Sequence, residues 1–106
     1  MVFFNKSVLN DIENIFIGLL TWHSKTNQTI MTFEEVWNYR NDLKNVGNSL
    51  DKLTIHIKCK YKIHKLYGEY VYRYSRNKKT QWYFIYNINN EDIYLNKIIS
   101  NYLTKE

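Results

Sequence analysis

The stretch Ile55-His56-Ile57-Lys58-Cys59-Lys60-Tyr61-Lys62-Ile63-His64 alternates apolar residues with lysine or histidine. Side chains on a strand point to opposite faces in turn, so a period of two predicts a half-buried strand. Ile57, Cys59, Tyr61 and Ile63 are then expected to face a core. His56, Lys58, Lys60, Lys62 and His64 face away from it.

Upstream the period is helical. Ser7 is a good N-cap, and Val8, Ile12, Ile15, Phe16 and Leu19 follow three or four apart, predicting a helix over about 7–22. Gly18 weakens it slightly and suggests close packing there. His23 to Met31 is polar without a period and reads as a loop. Thr32 and Glu35 fit a capping box. Val36, Tyr39, Leu43, Val46, Leu50 and Leu53 then predict a second helix over about 32–47, with apolar spacing that continues past Gly47. Each helix has one apolar face, so the pair needs a sheet to lie on. Val2-Phe3-Phe4 is a short β-favouring run.

Downstream, strands are expected over about 69–76, 81–88 and 92–99, with turns at 75–80 and 89–91 short enough for hairpins. Trp82-Tyr83-Phe84-Ile85-Tyr86 is apolar on both faces and belongs in the middle of the sheet. The expected fold is α+β: a short N-terminal strand and a helical hairpin packed on a mainly antiparallel sheet of four to five strands.

At 106 residues the chain makes one domain, 1–106. It is 44% hydrophobic and 17% aromatic, with no proline and 3 glycines, a composition opposed to disorder or long linkers. The single Cys59 cannot form an intramolecular disulfide and fits a reducing compartment. Its setting reads as a small apolar residue rather than a nucleophile. The first residues lack the pattern of a signal peptide, and the apolar run Ile15–Leu20 is far short of the roughly 20 residues that span a bilayer. A cytoplasmic protein is expected. The net charge of +5 favours nucleic acid or an acidic protein as partner over a membrane surface.

Two basic clusters could meet such a partner. On the alternating strand Lys58, Lys60 and Lys62, flanked by His56 and His64, would form a row about 27 Å long. That row suits phosphates, and a lysine-protected edge strand would look the same. Arg73, Arg76, Lys78 and Lys79 lie on and beyond a hairpin. Tyr70, Tyr72 and Tyr74 beside them could stack bases, but a tyrosine stripe on a strand favours packing. No metal site or cofactor is expected. His23, His56 and His64 lack partners at ligand spacing, and no phosphate loop, nucleophile elbow or nucleotide fingerprint occurs. Any hydrolysis would be metal-free.

Lys65-Leu66-Tyr67-Gly68, the following strand to Arg73, and Trp82-Tyr83-Phe84-Ile85-Tyr86-Asn87-Ile88 resemble the RelE/ParE toxin superfamily, the plasmid-stabilisation toxins of type II toxin–antitoxin pairs. Members carry a K-L-x-G turn, a strand closed by a basic residue, a hairpin, and a Y-R-hydrophobic-hydrophobic-Y strand. A last strand and a polar tail follow, matched here by 92–99 and 100–106. The two N-terminal helices match the family's order, so the resemblance covers nearly the whole chain.

The resemblance implies one of two activities. RelE-like members cut messenger RNA on the ribosome without metal; ParE-like members share the fold and poison DNA gyrase. Both are held inactive by an acidic antitoxin. By match to the motifs, Lys65 and Arg73 are implied as catalytic cations and Tyr86 as the final motif tyrosine. Tyr83 replaces the motif arginine, and Asn101-Tyr102 stands where nucleases of the family place His or Arg. His64 or Tyr102 is then the expected proton-transfer group. Lys58, Lys60, Lys62, Arg76, Lys78 and Lys79 are the expected nucleic-acid contacts. A basic binding module outside any toxin system is the third reading.

Overall fold

Two helices cover one face of a five-stranded sheet and leave most of the other face to a short crossing segment. The structure is a computed structural model that describes residues 1–26, 32–76 and 80–100. In chain order it has β1 (Val2–Phe4), α1 (Lys6–Thr26), α2 (Phe33–Asn48), β2 (Ile57–Lys58), α3 (Lys62–Lys65), β3 (Tyr70–Ser75), β4 (Gln81–Asn89) and β5 (Asp92–Ser100). The sheet order is β1-β5-β4-β3-β2. Every neighbouring pair is antiparallel except β1 with β5. The fold is α+β, as expected, with the Trp82–Tyr86 strand central.

The helix stripes do what their spacing requires. Val8 and Ile12 from α1, Tyr39 and Leu43 from α2, and Leu50 behind it meet Trp82, Phe84 and Tyr86 of β4 and Ile93, Leu95 and Ile98 of β5. Tyr70, Tyr72 and Tyr74 pack against the same core, so the tyrosine stripe is packing. Glu13 meets Arg40, while Phe16 meets Trp37 and Phe33, so α1 and α2 run antiparallel. Thr32 caps α2 by accepting a hydrogen bond from the Glu35 amide at 3.1 Å.

Three helix expectations change. Asn5, not Ser7, caps α1: its Oδ1 accepts from the Ser7 amide at 3.1 Å, while the Ser7 hydroxyl donates to the Asn96 carbonyl at 3.2 Å. α1 continues to Thr26, through residues read as loop, because His23-Ser24-Lys25-Thr26 contains no breaker. Gly18 marks no close packing, since a Cβ built there meets nothing within 4 Å. The close approaches are at Gly47, beneath the Phe4 ring, and at Gly68, against the Tyr86 carbonyl.

The largest correction concerns 55–64. Only Ile57–Lys58 form a strand, paired with Tyr70 and Val71. The Cys59 amide adds a bond to the Glu69 carbonyl at 2.9 Å, and the chain then turns into the single-turn helix α3. The face assignment fails with it: Ile57 is 61% exposed and His64 only 1%. The cause lies in β4 and β5, whose second face carries Ile85 and Ile99. Cys59 covers them there in a small second core. A straight edge strand would have left that apolar surface in water.

A bulge in β5 sets which side chains share each face. Tyr86 pairs with Leu95 and Ile85 with Lys97, leaving Asn96 as the extra residue. Past it the parity reverses, so Ile98 joins the helix-side core and Ile99 the opposite one. The β4–β5 turn is Asn90-Glu91 with φ of 50° and 73°, the left-handed pair of a two-residue type I′ hairpin.

Candidate nucleic-acid interface

The sheet face away from α1 and α2 holds the groove that gathers the chain's chemistry. Parity puts the tyrosines of β3 in the core and Arg73 on this open face. There it is paired directly with Tyr83 of β4. The turn into α3 lays His64 over Tyr83, ring centroids 4.8 Å apart and tilted by 40°. Tyr61 meets the same imidazole edge-on at 5.4 Å and 87°. Lys58 and Lys60, leading into that turn, complete a cavity of about 230 Å³ with Tyr61, His64, Arg73 and Tyr83.

Its electrostatics are one-sided. Three cations line the cavity and no carboxylate does. Among the described residues neither Lys60 nor Arg73 has an ion-pair partner. Lys58 reaches Glu69 at 3.7 Å, with both side chains mostly in water, where such a pair is worth little. The unpaired Lys60 and Arg73 beside the exposed Tyr61 ring and the half-buried Tyr83 ring match the two needs of a nucleotide: neutralised phosphate and a stacked base.

The expected residues divide by position. Lys58, Lys60, His64 and Arg73 come together. Lys65 instead lines a second cavity of about 630 Å³ with Lys58, Tyr67, Glu69 and Asn87, on the other side of the crossing segment. Lys62 is exposed on α3, and the straight row of lysines does not exist. His56 turns to the helix side, its Nδ1 hydrogen-bonded with the Tyr86 hydroxyl at 2.7 Å. Lys78, Lys79 and Tyr102 lie outside the described residues.

Arg76 is a correction. It sits on the helix side, paired with Asp42 of α2, its guanidinium 4.2 Å over the Tyr39 ring. Tyr39 in turn accepts a hydrogen bond from Trp82 Nε1 at 2.6 Å. One residue past the end of β3 reverses the face, so Arg76 ties the hairpin to α2 and is not on the groove side.

Other groups are structural. Tyr86 is fully buried, and burial first, then Tyr70 and Cys59, pushes its phenol up to about 12. Burial also raises the Cys59 thiol, against a smaller lowering by Lys65, so it is held as a neutral thiol and not a nucleophile. Among the described residues no cluster of His, Cys, Asp and Glu could hold a metal ion, and no helix is long and apolar enough to cross a membrane.

Tyr61 as a groove wall was missed, although a ring between Lys60 and Lys62 was a signal for it. Tyr83, noticed only as a lost arginine, is the ring on which His64 rests. Comparison with family models, with curated proteins and with solved structures finds no match to this chain.

Proposed function

We propose that this chain is the toxin of a type II toxin–antitoxin pair, a metal-independent ribonuclease of the RelE kind acting on ribosome-bound messenger RNA. The observation that carries the reading is the groove. Lys58, Lys60 and Arg73 converge with Tyr61, Tyr83 and His64 on one sheet face; Arg73 is a residue the resemblance implicates, and His64 is one of the two expected to stand in for the missing proton-transfer group. The cations hold the phosphates and stabilise charge that develops on the scissile one. A ring wall receives a base, and His64 at the floor or Tyr61 at the mouth moves the proton. The protein then works in the cytoplasm, held inactive by an acidic antitoxin that the same cations attract.

A gyrase-directed toxin is the second reading, favoured by one observation. His64 is only 1% exposed, which suits a groove that binds its target without proton transfer.

Inducing the chain alone, beside an Arg73→Ala/Lys60→Ala variant, tests both. Growth arrest by the parent only, with new message ends in primer extension, is the expected result. Arrest with a DNA-damage response and intact message selects the gyrase reading. Absence of arrest with soluble protein present overturns both and leaves a binding module outside any toxin system.

A further inference from the structure

We propose that Asn96, the extra residue of the β5 bulge, is a positioning residue for the groove, holding the turn that sets His64 on Tyr83. The bearing of that placement on catalysis rests on the ribonuclease reading; the placement itself does not. A bulge re-aims side chains relative to a regular ladder, and here two consecutive ones reach the same target. The Asn96 Nδ2 donates to the Tyr67 carbonyl at 2.9 Å. Lys97 Nζ stands 5.3 Å over the Tyr67 ring and is itself anchored by Asp11 of α1 at 3.1 Å. Tyr67 is therefore held by β5 through both its backbone and its ring.

From Tyr67 the hold passes to the groove through the main chain. The Tyr67 amide donates to the His64 carbonyl at 3.0 Å, and the His64 amide donates to the Tyr61 carbonyl at 3.1 Å. These bonds close the single turn of α3, from which the His64 ring meets both Tyr83 and Tyr61. Two residues beyond Tyr67 a second asparagine acts: the Glu69 amide donates to Oδ1 of Asn87 in β4 at 2.9 Å. The two asparagines work with opposite polarity, Asn96 as donor and Asn87 as acceptor. An aspartate keeps the acceptor oxygens and has no N–H to donate at neutral pH. At position 87 it preserves the bond, in a cavity that Lys58 and Lys65 also line. At position 96 it sets a carboxylate against a carbonyl oxygen. Two asparagines that served only as a polar surface would tolerate aspartate equally.

Nuclear magnetic resonance of the parent, Asn96→Asp and Asn87→Asp proteins tests the placement. The His64 ring protons of the parent are expected to be shifted by the ring current of Tyr83. Folded Asn96→Asp should lose most of that shift, and Asn87→Asp should keep it. New message ends in primer extension should fall about ten-fold in Asn96→Asp, with Asn87→Asp at the parent level. An unmoved His64 signal in folded Asn96→Asp, or equal loss in the two variants, overturns the proposal. A moved signal with parent-level cleavage overturns it as well. Should Asn96→Asp unfold, the parent decides: Overhauser contacts from the Asn96 side-chain amide protons to Tyr67 are expected, and their absence overturns the proposal. Loss of the shift in Asn96→Asp alone, with no cleavage even by the parent, supports the placement and removes only the ribonuclease reading.

Discussion

Arg73 and Tyr83 face each other across β3 and β4, and the Tyr83 ring carries His64 at 4.8 Å. The pair joins the groove's free cation to its buried floor. Arg73 has no ion-pair partner among the described residues and is exposed, so its charge is available to a ligand. Arg73→Ala is therefore expected to change stability by less than about 0.5 kcal/mol. Affinity for single-stranded RNA should fall about ten-fold, and the slope of log affinity against log salt by about one. Urea unfolding and anisotropy across a potassium chloride series check the two halves. An unchanged salt slope would remove Arg73 from the interface.

Arg76 has the opposite signature. Its guanidinium is stacked on Tyr39 and paired with Asp42, so Arg76→Ala should cost about 1–2 kcal/mol of stability. RNA affinity should stay at the parent value. A double-mutant cycle with Asp42→Asn, read from urea midpoints, should give a coupling of about 1 kcal/mol. Additive effects would show that the pair is not formed in solution.

Two glycines should respond in opposite directions. Gly18 lies in α1 with open space around it, so Gly18→Ala should raise stability by up to about 1 kcal/mol through helix propensity. Gly68 lies where the crossing segment touches β4, and a Cβ there would stand 2.9 Å from the Tyr86 carbonyl oxygen. Backbone cannot move aside as a side-chain tip can. Gly68→Ala should therefore cost about 1–3 kcal/mol and loosen the segment that carries His64. Thermal melts of both variants would show the two signs.

Alkaline pH should weaken the fold through Tyr86. Its phenol is raised from 10.0 to about 12, first by burial, so the folded state holds the proton more tightly than the unfolded chain does. This contribution is fully present below pH 10.0 and is lost as pH rises toward about 12. Tyr86→Phe should flatten that part of the stability profile. It should also lower stability at neutral pH by about 1 kcal/mol, for the lost hydrogen bond with His56. A parent and variant with the same slope between those pH values would assign the effect to other tyrosines.

How much of the site was legible follows from how local each signal was. Arg73 is offset by one from a stripe of tyrosines, and a one-residue offset on a strand already separates the faces. Lys58 and Lys60 were identified as cations for a ligand, but their straight row was not realised. His64 was named for proton transfer as a solvent-facing residue and is instead the floor of the groove. Arg76, three residues after Arg73, has the parity of the tyrosines, so alternation carried one residue past the strand already separates it from Arg73.

The class of fold is written in local pattern. Periods of three and four before residue 50, hydrophobic strands with turns after residue 69, and one apolar face per helix leave a helical pair on a sheet as the way to bury them. The tertiary structure decided the rest, because those outcomes depend on partners distant in the chain. Whether 55–64 stayed extended or turned was settled by the need to cover Ile85 and Ile99, more than twenty residues away. Which of Ile98 and Ile99 faces the helices depended on a bulge at Asn96, formed only in register with β4. Periodicity reports which residues avoid water; only packing reports what they meet when they do.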